Sequence, residues 1–170
     1  RGLGDVYKRQ DKKHIITADV FNGKIYKTSI ETESSEIIYS HKYGVNVAIE
    51  DSTGSLWFTQ STENQNEKRL FKGLDEAIPD GALYRIPISR DGTLSKPELI
   101  LKNLYFANGF YIDEKRNKLY LSEMMKNRVL SFDLDILTGS VSNQTTLAVI
   151  PTPDNMELNS EGKLWVASPL

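Results

Sequence analysis

Hydrophobic residues fall in short β-rich runs separated by polar turns, and no stretch carries the 3.6-residue period of an amphipathic helix. His14–Asp19, Lys24–Ile30 and Glu36–Ser40 read as three successive strands. Asn22-Gly23 lies between the first two, a dipeptide suited to a two-residue type I′ hairpin turn. A second series follows: Val47–Ile49, Leu56–Thr59, Ala82–Ile88 and Pro97–Leu101. Pro87 and Pro97 suit outer positions, because proline cannot donate to a central ladder. A third series has strands near Gly109–Ile112, Lys118–Ser122, Arg128–Asp133 and Thr146–Ile150. A fourth begins at Asp154 and contributes two strands.

One phrase recurs in this series. Asn46 precedes an apolar strand, a polar turn and Leu56-Trp-Phe-Thr59; Asn108 precedes a strand, a turn and Leu119-Tyr-Leu-Ser122; Asp154-Asn155 leads in the same way to Leu164-Trp-Val-Ala167. From Asn46 to Asn108 is 62 residues, and from Asn108 to Asn155 is 47. The excess lies in the polar stretch between Gln60 and Gly81, a long loop of the kind that carries specificity. Without it the period is about 45 residues and four strands, the spacing of a β-propeller blade. The expected fold is all-β, a partial six-bladed β-propeller of roughly three four-stranded antiparallel blades, with units starting near 46, 108 and 154. A β-sandwich of regularly spaced strands is the alternative. Trp57, Tyr120 and Trp165 are expected in the blade-to-blade core.

Composition narrows the chemistry. The 170 residues are 39% hydrophobic and 26% charged, a globular balance with enough length for a sizeable core. A net charge of −2 gives no reason to expect nucleic acid or an anionic membrane as partner. No run of about 18 apolar residues suggests a membrane helix. The chain contains no cysteine, which excludes disulfides, thiolate metal sites and cysteine nucleophiles. Residues 1–10 do not fit the repeat and resemble a translated sequencing-adaptor scar, so the propeller region is placed at 11–170. Neither compartment nor oligomeric state can be read from these features.

In a propeller, residues at the head of each innermost strand converge on one mouth of the central channel. A single Asn there is an ordinary turn residue that bonds nearby backbone. Three at one register position point to a shared site. Asn46, Asn108, Asp154 and Asn155 offer amide and carboxylate oxygens, the ligands of a hard cation such as Ca²⁺. A further acid is expected from outside this stretch. Ser61 and Ser122 lack the context of a nucleophile elbow, and His41, between Ser40 and Lys42, reads as an exposed loop residue. Glu123-Met-Met125 follows an inner strand; core or loop packing is expected there rather than an approach to the channel mouth.

Phe106-Ala-Asn-Gly109, Val45-Asn46, Pro153-Asp-Asn155 and Gly162-Lys-Leu-Trp-Val166 resemble the calcium-dependent six-bladed propellers. That superfamily includes the gluconolactonase and senescence-marker group, the paraoxonases and the strictosidine synthase-like proteins. Thr17–Gly23 and Pro79–Tyr84 look closer to the strictosidine synthase-like branch. The resemblance implies Asn46, Asn108, Asp154 and Asn155 as calcium ligands, with Asp154 also a catalytic candidate, and hydrolysis of a small lactone or ester. Asp19 stands at one of the positions where paraoxonases carry a histidine pair; His14 and His41 stand at neither. The other readings are a non-catalytic propeller that binds partners through its loops, and a strictosidine synthase-like lyase.

Overall fold

The computed structural model describes residues 6–8, 13–64 and 75–169. Its strands are β1 (Val6–Lys8), β2 (His14–Ala18), β3 (Lys24–Ser29), β4 (Ser35–Ser40), β5 (Ala48–Glu50), β6 (Leu56–Gln60) and β7 (Gly81–Ile86). They continue as β8 (Glu98–Leu104), β9 (Ala107–Asp113), β10 (Lys118–Glu123), β11 (Arg128–Asp135), β12 (Ser140–Val149), β13 (Met156–Leu158) and β14 (Leu164–Val166). All paired strands are antiparallel and follow chain order: β1 to β4, β5 to β8 and β9 to β12 form three four-stranded sheets, and β13 pairs with β14. The fold is therefore all-β and a partial propeller: three blades and the first half of a fourth. The backbone of Val6–Lys8, inside the stretch set apart on sequence, supplies the innermost strand of the first sheet by pairing with β2.

The turns that reverse each inner strand are built by one side chain. The Asp51 carboxylate accepts from the backbone N–H groups of Thr53 and Ser55 and from Trp57 Nε1, while Gly54 closes the turn at φ 84°. Asn159 does the same for Glu161 and Lys163, with Gly162 at φ 76°. In the third sheet the turn is one residue longer, and Asn117 takes the left-handed position at φ 53°. The β2–β3 connection departs from the expected two-residue turn. It spans Asp19 to Gly23, and only Gly23 has positive φ. Asp19 organises it by accepting from Phe21 N, Asn22 N and Asn22 Nδ2. The last outer strand, β12, begins earlier than expected, at Ser140. Its residues are almost all exposed, so hydrophobic alternation gave no signal there.

The core lies between sheets. Ile16, Ala18 and Ile25 of the first pack on Ala48, Leu56, Phe58 and Ile86 of the second. Trp57, Val47 and Leu83 of the second pack on Phe110, Leu121 and Phe132 of the third. Arg85 reinforces this seam. Its guanidinium lies over the Trp57 ring at 5.7 Å and donates to the carbonyls of Ile136, Leu137 and Thr138 at 3.2–3.4 Å. Trp57, Tyr120 and Trp165 occupy the same place in β6, β10 and β14, yet their burial differs. Trp57 is fully buried, Tyr120 is half-buried and Trp165 is 66% exposed. The gradient follows what covers each face: a whole sheet, a two-stranded half-sheet, and none among the described residues. Trp165 is thus a correction to the expected core.

Candidate metal centre

The four residues singled out on sequence lie where the inner strands begin, at one end of the sheets. Asn46 stands two residues before β5, and its backbone N–H extends the ladder to Thr59 O at 2.9 Å. Asn108 is the second residue of β9 and is buried. Asp154 and Asn155 precede β13 and pair with Ala167: Asp154 N donates to Ala167 O, and Ala167 N donates to Asn155 O.

Hydroxyl groups at the ends of the second strands tie these starts together. Thr59 Oγ1 accepts from Val47 N at 3.2 Å and donates to Asn108 O at 2.9 Å. Two residues on, Ser61 Oγ accepts from Asn46 Nδ2 at 2.8 Å and donates to Ala107 O at 2.7 Å. In the next sheet Ser122 Oγ donates to Asp154 O at 2.8 Å. The three hydroxyls, of Thr59, Ser61 and Ser122, thus link Asn46 and Val47 to Ala107 and Asn108, and the end of β10 to the backbone of Asp154. Sequence reasoning missed these three residues as site elements. The signal for two of them was present, since Leu56-Trp-Phe-Thr59 and Leu119-Tyr-Leu-Ser122 both end in a hydroxyl.

The polar atoms that remain unpaired are informative. Asn108 Oδ1 and Asn155 Oδ1 are both buried with no hydrogen-bond partner. Leaving such an acceptor unsatisfied costs about 1–3 kcal/mol. Asn108 Nδ2 lies 3.7 Å from Met124 Sδ and also faces the Asp154 carboxylate. Asn155 Oδ1 lies against Gly109, where a Cβ would come within 2.9 Å of it and within 2.6 Å of Asp154 O. Burial pushes the Asp154 carboxyl above its ordinary range, against the opposing pull of hydrogen bonds from the Asn108 side chain and the Asn155 backbone N–H. Among the described residues no group of three or more His, Asp or Glu is placed to hold a metal. A cation here would have to be met mainly by amide oxygens, and the two orphaned ones fit that need.

The surroundings correct one expectation. His41 is not an exposed loop residue. It sits half-buried among Tyr39, Tyr43, Phe58 and Tyr84, with ring centroids 4.9–6.2 Å away, and its Nε2 is 2.9 Å from Gln60 Oε1. Burial lowers its pKa, partly offset by the Gln60 bond. Asp19, at the position where paraoxonases carry a histidine, caps the β2–β3 turn. Burial raises its pKa, but bonds from Asn22 and Phe21 outweigh that and hold it below the ordinary value. Met124 packs in an apolar cluster with Phe106, Val20, Phe21 and Met125, the core packing expected of this stretch. Glu123 beside it is buried and spoken for, accepting from Tyr105 N and pairing with Arg128. Of the long polar loop, residues 65–74 lie outside the described residues.

The comparisons agree with this architecture. The gluconolactonase of Xanthomonas campestris superposes with a TM-score of 0.70 at 18% identity, covering 96% of this chain and 55% of that one. The calcium-binding protein regucalcin of Agrobacterium tumefaciens gives 0.67 at 16%, covering 98% and 54%. In sequence the chain is 27% identical over 160 residues to strictosidine synthase-like 7 of Arabidopsis thaliana, covering 91% of this chain and 41% of that protein. It is 24% identical over 143 residues to strictosidine synthase of Catharanthus roseus, covering 84% and 39%. The chain thus spans about two fifths of the length of these curated relatives. Residues 9–169 match the family model for the SMP-30/Gluconolactonase/LRE-like region, and the chain belongs to that family.

Proposed function

We propose that this chain supplies most of the metal site of a Ca²⁺-dependent hydrolase acting on a small lactone or ester. The observation that carries the reading is the pair of buried, unpartnered amide oxygens on Asn108 and Asn155, flanking the half-buried Asp154. Asn46, Asn108, Asp154 and Asn155 would hold the ion through oxygen, the ligand type Ca²⁺ takes. The calcium-binding and gluconolactonase neighbours support a divalent metal on this fold. Bound there, the ion supplies Lewis-acid polarisation of a substrate carbonyl.

The chain's own residues do the rest. Thr59 and Ser122 fix the backbone at Asn108 and Asp154, so the oxygens are held before substrate arrives. Asp154, half-buried between the two orphaned amide oxygens, is the one carboxylate in the set and would take or return a proton beside the ion. Phe106 and Met124, beside Asn108, keep water from that side of the site.

The test uses the whole protein. Calorimetric titration should show Ca²⁺ uptake that Asn108→Ala and Asp154→Ala both abolish. A panel of lactones and aryl esters should be hydrolysed with Ca²⁺ and not in EDTA. Activity that survives exhaustive chelation would sink the reading. A second reading, a strictosidine synthase-like lyase, is favoured by the names of the curated relatives. Condensation of an amine with an aldehyde, without turnover of any ester or lactone, would select it.

A further inference from the structure

We propose that Ser61 is a positioning residue whose hydroxyl sets the orientation of the Asn46 side-chain amide and presents Oδ1 to the cation. The inference rests on the metal reading above.

Its basis is a count of hydrogens. A serine hydroxyl has one proton to donate and lone pairs to accept with. Ser61 Oγ lies 2.7 Å from the backbone oxygen of Ala107 and 2.8 Å from the Asn46 amide. Two oxygens cannot approach to 2.7 Å without a hydrogen between them, and a carbonyl has none to give. The Ser61 proton is therefore committed to Ala107 O. Ser61 can then only accept from Asn46, so the branch of the amide that faces it must be Nδ2. The other branch, Oδ1, points away, and among the described residues no hydrogen bond occupies it. Ser61 is itself 2% exposed, so water does not compete for these bonds.

The arrangement is not an accident of one contact. Two residues earlier Thr59 repeats it, accepting from Val47 N and donating to Asn108 O. The two hydroxyls form parallel relays from the start of β5 to the start of β9. The Thr59 relay carries backbone to backbone. The Ser61 relay begins on a side chain, and so controls which atom of Asn46 is left for a ligand. An amide turned the other way would present N–H protons to a cation and repel it.

The experiment is a calorimetric Ca²⁺ titration of the whole protein as wild type, Ser61→Ala and Ser61→Thr. Outer-shell groups that orient metal ligands typically change affinity by about 10–100-fold. Ser61→Ala should weaken binding by roughly tenfold or more, and Ser61→Thr, which keeps the hydroxyl, should restore it. A double-mutant cycle separates positioning from packing: once Asn46→Ala is present, Ser61→Ala should cost no further affinity. If alanine at 61 prevents folding, Ser61→Cys keeps the bulk with a weaker hydrogen bond and should weaken Ca²⁺ binding in the same direction. Wild-type affinity in Ser61→Ala overturns the inference, as does a loss of metal-free melting temperature with affinity unchanged, or strict additivity in the cycle. A wild type that takes up no Ca²⁺ overturns the metal reading along with it. Loss confined to Ser61→Ala leaves that reading standing and supports the inference.

Discussion

The Thr59 hydroxyl donates to the backbone carbonyl of Asn108 at 2.9 Å, across the seam between two sheets. Both residues are buried, and the same hydroxyl accepts from Val47 N. The bond therefore joins two inner strands at the level where the candidate ligands lie. Replacing Thr59 by Val keeps the shape and removes the bond, leaving a buried carbonyl and a buried N–H without it. Thr59→Val should lose about 1–3 kcal/mol of stability, read as a lower urea midpoint at unchanged slope, while Thr59→Ser should lose less. Equal midpoints for wild type and Thr59→Val would show that the bond adds nothing.

Gly109 is required by closeness rather than by backbone conformation. A Cβ there would meet Asn155 Cα and Asp154 O at 2.6 Å, and neither can swing aside as a long side chain would. Gly109→Ala should push β13 away from β9, cost about 1–3 kcal/mol and weaken Ca²⁺ binding. Thermal melting in EDTA reads the first effect and calorimetry the second. A variant with unchanged melting and affinity would show that the two strands separate freely.

His41 should make stability depend on pH. Its folded-state pKa is lowered, chiefly by burial, with the Gln60 bond acting the other way. Between the lowered folded value and the ordinary unfolded one, about 6.5, the unfolded chain binds more protons. Stability is then complete above the unfolded pKa and is lost as pH falls through the folded one. His41→Gln should flatten that acid-side slope. The chain has only two histidines, so proton NMR of wild type and variant identifies the His41 resonance directly. A normal or raised midpoint for it would contradict the burial argument.

The two tryptophans should report the two kinds of sheet face. Trp57 is fully buried and Trp165 is 66% exposed. Acrylamide should quench Trp165 strongly and Trp57 hardly at all, resolved with Trp57→Phe and Trp165→Phe. In a protein in which a further sheet packs on β14, Trp165 should become as protected as Trp57. Persistent quenching of Trp165 there would show that its face does not join the seam.

The repeat, most of the inner strands and the shared register position of Asn46, Asn108 and Asp154-Asn155 at the strand starts could be read from the sequence. These are local matters: alternation sets strands, turn residues such as Asp51 and Gly54 set reversals, and a repeat places equivalent residues at equivalent points. Outer strands such as β12 were less legible, because an exposed strand needs no apolar pattern. What only the tertiary structure decided depends on neighbours far along the chain. Whether an aromatic at one register position is core or surface turns on the sheet that covers it, which is why Trp57 and Trp165 differ. His41 looks like a loop residue beside Ser40 and Lys42, and becomes half-buried because Phe58 and Tyr84 of the next sheet close around it. The roles of Thr59, Ser61 and Ser122 exist only once the following inner strand brings a carbonyl within 3 Å of each hydroxyl. An isolated Asn announces a turn. Its two side-chain atoms are told apart only by what the fold places against them.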